Sequence, residues 1–131
     1  MRTGDANGQD SRAAWEPAPN LTIARDELCV VILRGQVYAI GGLGNGHTVA
    51  LKSVERLSHG ANRWEAAPSL ANHVYAFAAV AVDDNLIFAM GGSGLNDDLY
   101  NTTWVFNGST DSWGRGPSLL GVRYATNKTV D

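Results

Sequence analysis

A chain of 131 residues has the length of one ordinary domain, and 44% hydrophobic with 18% charged residues is enough to build a core, which excludes a multidomain enzyme and wholesale disorder. Ten Lys and Arg against 13 Asp and Glu give a net charge of −3 with no basic cluster, so nucleic acid is not an expected partner. No run approaches the roughly 20 apolar residues of a membrane helix, and a membrane is not expected as a partner either.

Residues 1–14 are polar, lack the apolar stretch of a secretory signal, and read as a disordered lead-in that slightly favours the cytoplasm. From there the chain repeats itself. Trp15, Trp64 and Trp113 are spaced by 49 residues, as are Pro19, Pro68 and Pro117, and the double glycines Gly41-Gly42 and Gly91-Gly92 follow at an offset of 50. A fixed period of this length marks an array or a propeller. Within one period four short strands are predicted. The first is the apolar run 29–33, repeated as 77–82, suited to a strand covered on both faces. Polar turns at 34–36 and 83–85 lead to the second strand, 37–41 and 86–91, whose closing glycines mark a bulge or a close backbone approach. The third strand is 53–57, repeated as 102–106. It turns through 58–62 or 107–111 into a fourth strand carrying Trp64 or Trp113, and Asn107-Gly108 is a hairpin signal. A helix near 20–32 is a competing local reading, since Asn20 suits a cap and Leu21, Ala24, Leu28 and Ile32 fall near helical spacing. The repeat decides for strands.

Tyr38-Ala39-Ile40-Gly41-Gly42, Phe88-Ala89-Met90-Gly91-Gly92, the phased Trp64 and Trp113, and the segment Leu51-Lys52-Ser53-Val54-Glu55-Arg56-Leu57 resemble the kelch repeat. In the second copy Trp104 stands where the third-strand Glu belongs and Phe106-Asn107 replaces Tyr-Asp. The resemblance covers residues 15–131 and implies an all-β, kelch-type propeller fragment: two four-stranded antiparallel blades at about 26–67 and 75–116, with partial strands at 15–19 and 121–131. Propellers close with four to eight blades. Two blades do not make a ring, and their open edges are association hazards. Three readings follow: a fragment of a longer propeller, which the exposed edges favour; self-association through the open edges, for instance three chains sharing a six-bladed ring; and a stable open monomer.

The kelch resemblance implies a non-catalytic module that binds a protein or peptide partner through channel-face loops, here 19–26, 68–75 and 117–124. Arg25 and Arg123 hold one position of those loops, where a guanidinium can grip a carboxylate, while the middle copy has Val74 there. For an Arg so placed, a structural role bonding carbonyls between blades is the competing reading. Ser53 and Thr102 match positions that present hydroxyls to ligand in adaptor members, with ordinary turn chemistry as the alternative. Gly41, Gly42, Trp64, Gly91, Gly92 and Trp113 are the structural residues of the repeat. The glycine-rich 41–46 segment lacks the helix and Lys of a phosphate loop and reads as a flexible loop. Asp83-Asp84 and Asp97-Asp98 read as solvated turns, and Cys29 as a buried, inert thiol.

His47, His59 and His73 lack metal-site spacing, so no metal and no cofactor are expected. The rival is a fragment of a secreted kelch-propeller enzyme, a copper oxidase or sugar isomerase. Four glycosylation-type sequons at Asn20, Asn101, Asn107 and Asn127, against about one by chance, would suit such a parent.

Overall fold

A computed structural model describes residues 14–122. The expected lead-in and the strand start at 121–131 lie mostly outside that span. Among the described residues there are ten strands and no α-helix, so the capped-helix alternative at 20–32 is not adopted. The first blade consists of β1 (Cys29–Leu33), β2 (Gln36–Ile40), β5 (Val54–Leu57) and β6 (Glu65–Ala67), hydrogen-bonded in that order and antiparallel throughout. The second consists of β7 (Ala78–Val82), β8 (Leu86–Met90), β9 (Thr103–Asn107) and β10 (Ser112–Arg115) in the equivalent order. Both sheets have the four-stranded antiparallel order that the resemblance implies. Trp113 lies within its strand, whereas Trp64 stands just before β6.

Local chemistry sets these boundaries. Arg34-Gly35 closes the β1–β2 hairpin with both residues at positive φ (51° and 73°), the backbone that matches the twist of a two-residue loop. At the β9–β10 turn the Asn107 side chain accepts from the Ser109 N–H at 2.8 Å and its carbonyl accepts from the Asp111 N–H at the same distance. That sequon is therefore used as turn chemistry.

The core lies between the blades. Val31, Leu33, Tyr38 and Ile40 of the first blade face Ile87, Ala89 and Phe106 of the second, with Phe77 sealing one end. Leu33, Ile40, Ile87 and Phe106 are almost fully buried, and each large apolar side chain so placed contributes about 1.5–3 kcal/mol. Tyr38 and Phe106 meet with tilted rings 5.5 Å apart, and Trp113 continues the cluster 5.2 Å from Phe106. At the hairpin tips Arg34 donates from its backbone N–H to Asp84 Oδ1 (2.8 Å) and from Nε to the Asp84 carbonyl (3.1 Å), and it also bonds Asn85. The Cys29 thiol donates to the Phe77 carbonyl at 3.0 Å, and burial pushes its pKa up to about 11, which keeps it protonated and unreactive.

One expectation needs correction here. The run 29–33 is covered on one face only: Val30 and Ile32 are 58% and 66% exposed, because no described sheet lies on that side of the first blade. Trp15 is fully exposed, while the other two phased indoles each donate to a proline carbonyl 45 residues earlier, Trp64 to Pro19 and Trp113 to Pro68, both at 2.9 Å.

Candidate functional site

The diglycines organise the loop face. Gly41 and Gly91 each donate a backbone N–H to the residue that opens the third strand, Ser53 and Thr102 respectively, at 3.0 Å. The next residues then pair with the loop that enters the blade: Asp26 exchanges two backbone hydrogen bonds with Leu43 (2.9 and 2.7 Å), and Tyr75 exchanges two with Ser93 (both 2.9 Å). Asp26 and Tyr75 thus occupy the same position of successive repeats, displayed side by side. Gly42 also donates to the Val74 carbonyl at 2.8 Å, so the first blade's loop is anchored to the second.

Beyond the diglycine the repeats diverge. In the first copy, 41–46 is not a loose loop: β3 (Leu43–Gly44) and β4 (Val49–Ala50) form a small antiparallel hairpin, turned by Asn45, Gly46 and His47 at φ 49°, 66° and 75°. The Asn45-Gly46 dipeptide is a strong hairpin signal that could have revealed it. In the second copy a short 3-10 turn, Leu95–Asp97, occupies the equivalent stretch.

Between these two loops is a cavity of about 530 Å³, lined by Leu43, His47, Thr48, Tyr75, Asn96 and Asp97 among others. A second, of about 250 Å³, adjoins it across Leu43 and His47 and reaches Asp26. His47 Nδ1 lies 2.7 Å from Asp26 Oδ2, and Tyr75 Oη donates to Asp97 Oδ1 at 3.2 Å. Asp97 belongs to a pair expected as a plain solvated turn, yet it helps to wall the cavity. The hydrogen bond to Asp26, then its charge, raises the His47 pKa above its ordinary 6.5. The attraction that ties this hairpin to Asp26 is therefore complete below pH 6.5 and fades as pH rises through the shifted value. An NMR titration of His47 is expected to give a midpoint above 6.5 that returns to the ordinary range in Asp26→Asn; an unchanged midpoint would remove Asp26 as the cause.

The residues singled out in the sequence fall in different places. The Arg25 side chain is fully buried. Nη1 donates to the carbonyls of Gly41 (3.0 Å) and Ser53 (2.9 Å), and Nη2 donates to Ser53 Oγ (3.0 Å) and Glu55 Oε2 (2.8 Å). It braces carbonyls within the first blade, from behind the loop face. Ser53 shares that network, and Thr102 is half-buried at the equivalent position. Arg123 and Asn127 lie outside the described residues. Among the described residues, no group of three or more His, Cys, Asp or Glu is arranged to hold a metal ion. Sequence reasoning missed Asp26, His47 and Tyr75 as face residues. The signal was the repeat phase itself, read one residue past Arg25 and Val74.

The kelch motif matches the chain twice, over residues 24–71 and 75–120. The chain belongs to the kelch-repeat family. It is 37% identical to human Kelch-like protein 33 over 114 residues (87% of this chain, 21% of that protein). To mouse Kelch domain-containing protein 7A it is 36% identical over 107 residues (81% and 12%). It is 32% identical to Kelch repeat protein C2 of vaccinia virus, strain Western Reserve, over 78 residues (60% and 15%). The kelch chain described here thus spans about a fifth or less of the length of these relatives. As kelch repeats the two sheets are blades of a β-propeller, and the family assignment supports a protein-interaction module.

Proposed function

We propose that this kelch chain is a non-catalytic module of a larger propeller ring and binds a partner peptide or protein on its loop face. The observation that carries this reading is the cavity of about 530 Å³ at the junction of the two repeats, where His47, Tyr75, Asn96 and Asp97 converge from separate loops. A concave site with a few polar groups held by rigid elements is suited to anchoring one or two side chains of a peptide. In this reading Arg25 and Ser53 act as positioning residues: they fix the strand ends that present Asp26 and the β3–β4 hairpin. Thr102 and Arg123 are proposed to serve the equivalent places of the following loops.

Selection of peptides from a displayed random library, followed by affinity measurement, tests the reading. Tyr75→Ala and Asp97→Ala are each expected to weaken a selected peptide about tenfold or more without shifting the melting temperature. A library yielding no binder would overturn the interaction role, whereas binders indifferent to both variants would overturn the site.

A further inference from the structure

Two Asn-Gly pairs lie in hairpin turns of this fold, Asn45-Gly46 between β3 and β4 and Asn107-Gly108 between β9 and β10, and their surroundings are opposite. A third, Asn7-Gly8, lies outside the described residues. Asparagine is chemically labile, most of all before glycine, which puts no side chain between the amide and the following backbone nitrogen. At Asn107 both reacting groups are tied down. Its Oδ1 accepts from the N–H groups of Ser109 (2.8 Å) and Thr110 (3.4 Å), and the Gly108 N–H donates to the Asn85 carbonyl at 2.7 Å. The space is filled as well: a Cβ added to Gly108 would stand 3.0 Å from the Asn85 carbonyl and 3.2 Å from Leu33. Asn45 is exposed, and among the described residues neither its side-chain amide nor the Gly46 N–H makes a hydrogen bond. A Cβ added to Gly46 would meet no atom within 4 Å. Thr48 holds this turn by donating its N–H to the Gly44 carbonyl (3.0 Å) and its hydroxyl to the Asn45 carbonyl (2.6 Å), bonds that leave the amide and the Gly46 nitrogen open. Only the pairs Leu43 with Ala50 and Gly44 with Val49 close the hairpin, against four pairs between β9 and β10, so it opens at lower cost.

We propose that Asn45 is a site of spontaneous deamidation, at which the Gly46 backbone nitrogen turns a neutral amide of the loop face into a carboxylate, while the fold protects Asn107 from the same reaction. The Gly46 nitrogen loses its proton to solvent and bonds to Asn45 Cγ, and the side-chain nitrogen leaves as ammonia. Water then opens the resulting five-membered imide at one of its two carbonyls. Opening at Cγ gives aspartate at position 45; opening at the backbone carbonyl gives isoaspartate, with the chain running on through the side chain. Water is the only co-reactant, and nothing is oxidised or reduced. The new carboxylate stands two residues from His47, which lines both cavities and whose contact with Asp26 at 2.7 Å ties the hairpin down. The isoaspartyl product also adds a methylene to the main chain of this short hairpin, so shape changes along with charge. The inference stands apart from the partner reading, because the reaction needs no ligand.

Incubation of the folded 131-residue chain in mildly alkaline buffer, followed by peptide mapping with mass spectrometry and chromatographic separation of aspartyl from isoaspartyl products, resolves each site. In the folded chain Asn45 is expected to convert about tenfold or more faster than Asn107, the ratio that one or two retained hydrogen bonds impose. In urea the two rates are expected to converge, because both sites are then plain Asn-Gly. Equal rates in the folded chain, a faster Asn107, or an Asn45 that converts only in urea would each overturn the inference. Asn45→Asp, which carries the aspartyl product from the start, is expected to raise the NMR midpoint of His47 above that of the parent chain, adding to the pull of Asp26 and Glu27. A midpoint identical to the parent's would overturn the link between this modification and the loop face.

Discussion

Gly42→Ala is expected to lower the stability of the fold by about 3 kcal/mol or more, with a fall in melting temperature of roughly 12–24 °C. Two costs combine. Gly42 sits at φ +100°, outside even the left-handed region where a side chain is tolerated, and an added Cβ would lie 2.5 Å from the Asp26 carbonyl and 3.0 Å from Leu28 Cβ. That carbonyl accepts from the Leu43 N–H at 2.7 Å, so relieving the clash means breaking the bridge that brings Asp26 to the loop face. Gly60→Ala is the control: its φ of +77° carries a backbone cost of about 1–2 kcal/mol, but no atom lies within 4 Å of the added Cβ. Thermal melts of the two variants measure the difference. Equal losses would mean that close approach adds nothing at the diglycine and that the pair is retained for backbone freedom alone.

The diglycine also shows how far this molecule can be read from its letters. Strand order, the two-blade division and the close approach at Gly41-Gly42 follow from period and residue type, because repeats confirm one another and a missing side chain is visible in the sequence. On Gly41 an added Cβ would stand 2.6 Å from the Val74 carbonyl of the other blade, which is the close approach that its double-glycine context implies. The site was less legible. Arg25 has two readings in the sequence, a grip on a ligand carboxylate and a structural brace on carbonyls, and its direction depends on Glu55, thirty residues away on β5, a pairing that nothing local reveals. The neighbouring Asp26, of no evident interest in the sequence, turns outward because its backbone is locked to Leu43. The continuous apolar run of β1 likewise implies that both its faces are interior, since such a run reports what a surface can bury and is silent on whether a neighbour is present to bury it.

Breaking the Arg25–Glu55 pair from one side is expected to cost about 3–5 kcal/mol, while replacing both partners is expected to cost far less. Arg25 is 0% and Glu55 4% exposed at the side chain, so Arg25→Val leaves a carboxylate, and Glu55→Leu a guanidinium, away from water with its counter-charge gone. The repeat itself supplies the alternative solution: at the same positions the second blade has Val74 and Trp104, an apolar pair packed with the hydrophobic cluster. Thr22 and Ile23, whose N–H groups donate to Glu55 at 2.8 and 3.3 Å, are surface residues, so water can take over those bonds in the double variant Arg25→Val/Glu55→Leu. Acid should separate the variants further. Burial alone would raise the Glu55 pKa, but the hydrogen bonds from Thr22 and Ile23 and the Arg25 charge outweigh it and hold the carboxyl below its ordinary 4.5. The ionised Glu55 therefore adds stability that is complete above pH 4.5 and is lost as pH falls through the lowered value. Urea titrations at pH 7 and at successive steps below pH 4.5 should show the parent chain losing this increment. The double variant, which has no carboxyl at position 55, should lose less over the same range. If the double variant is instead as unstable at pH 7 as either single one, the first blade requires the ion pair itself, and the apolar solution found in the second blade does not transfer.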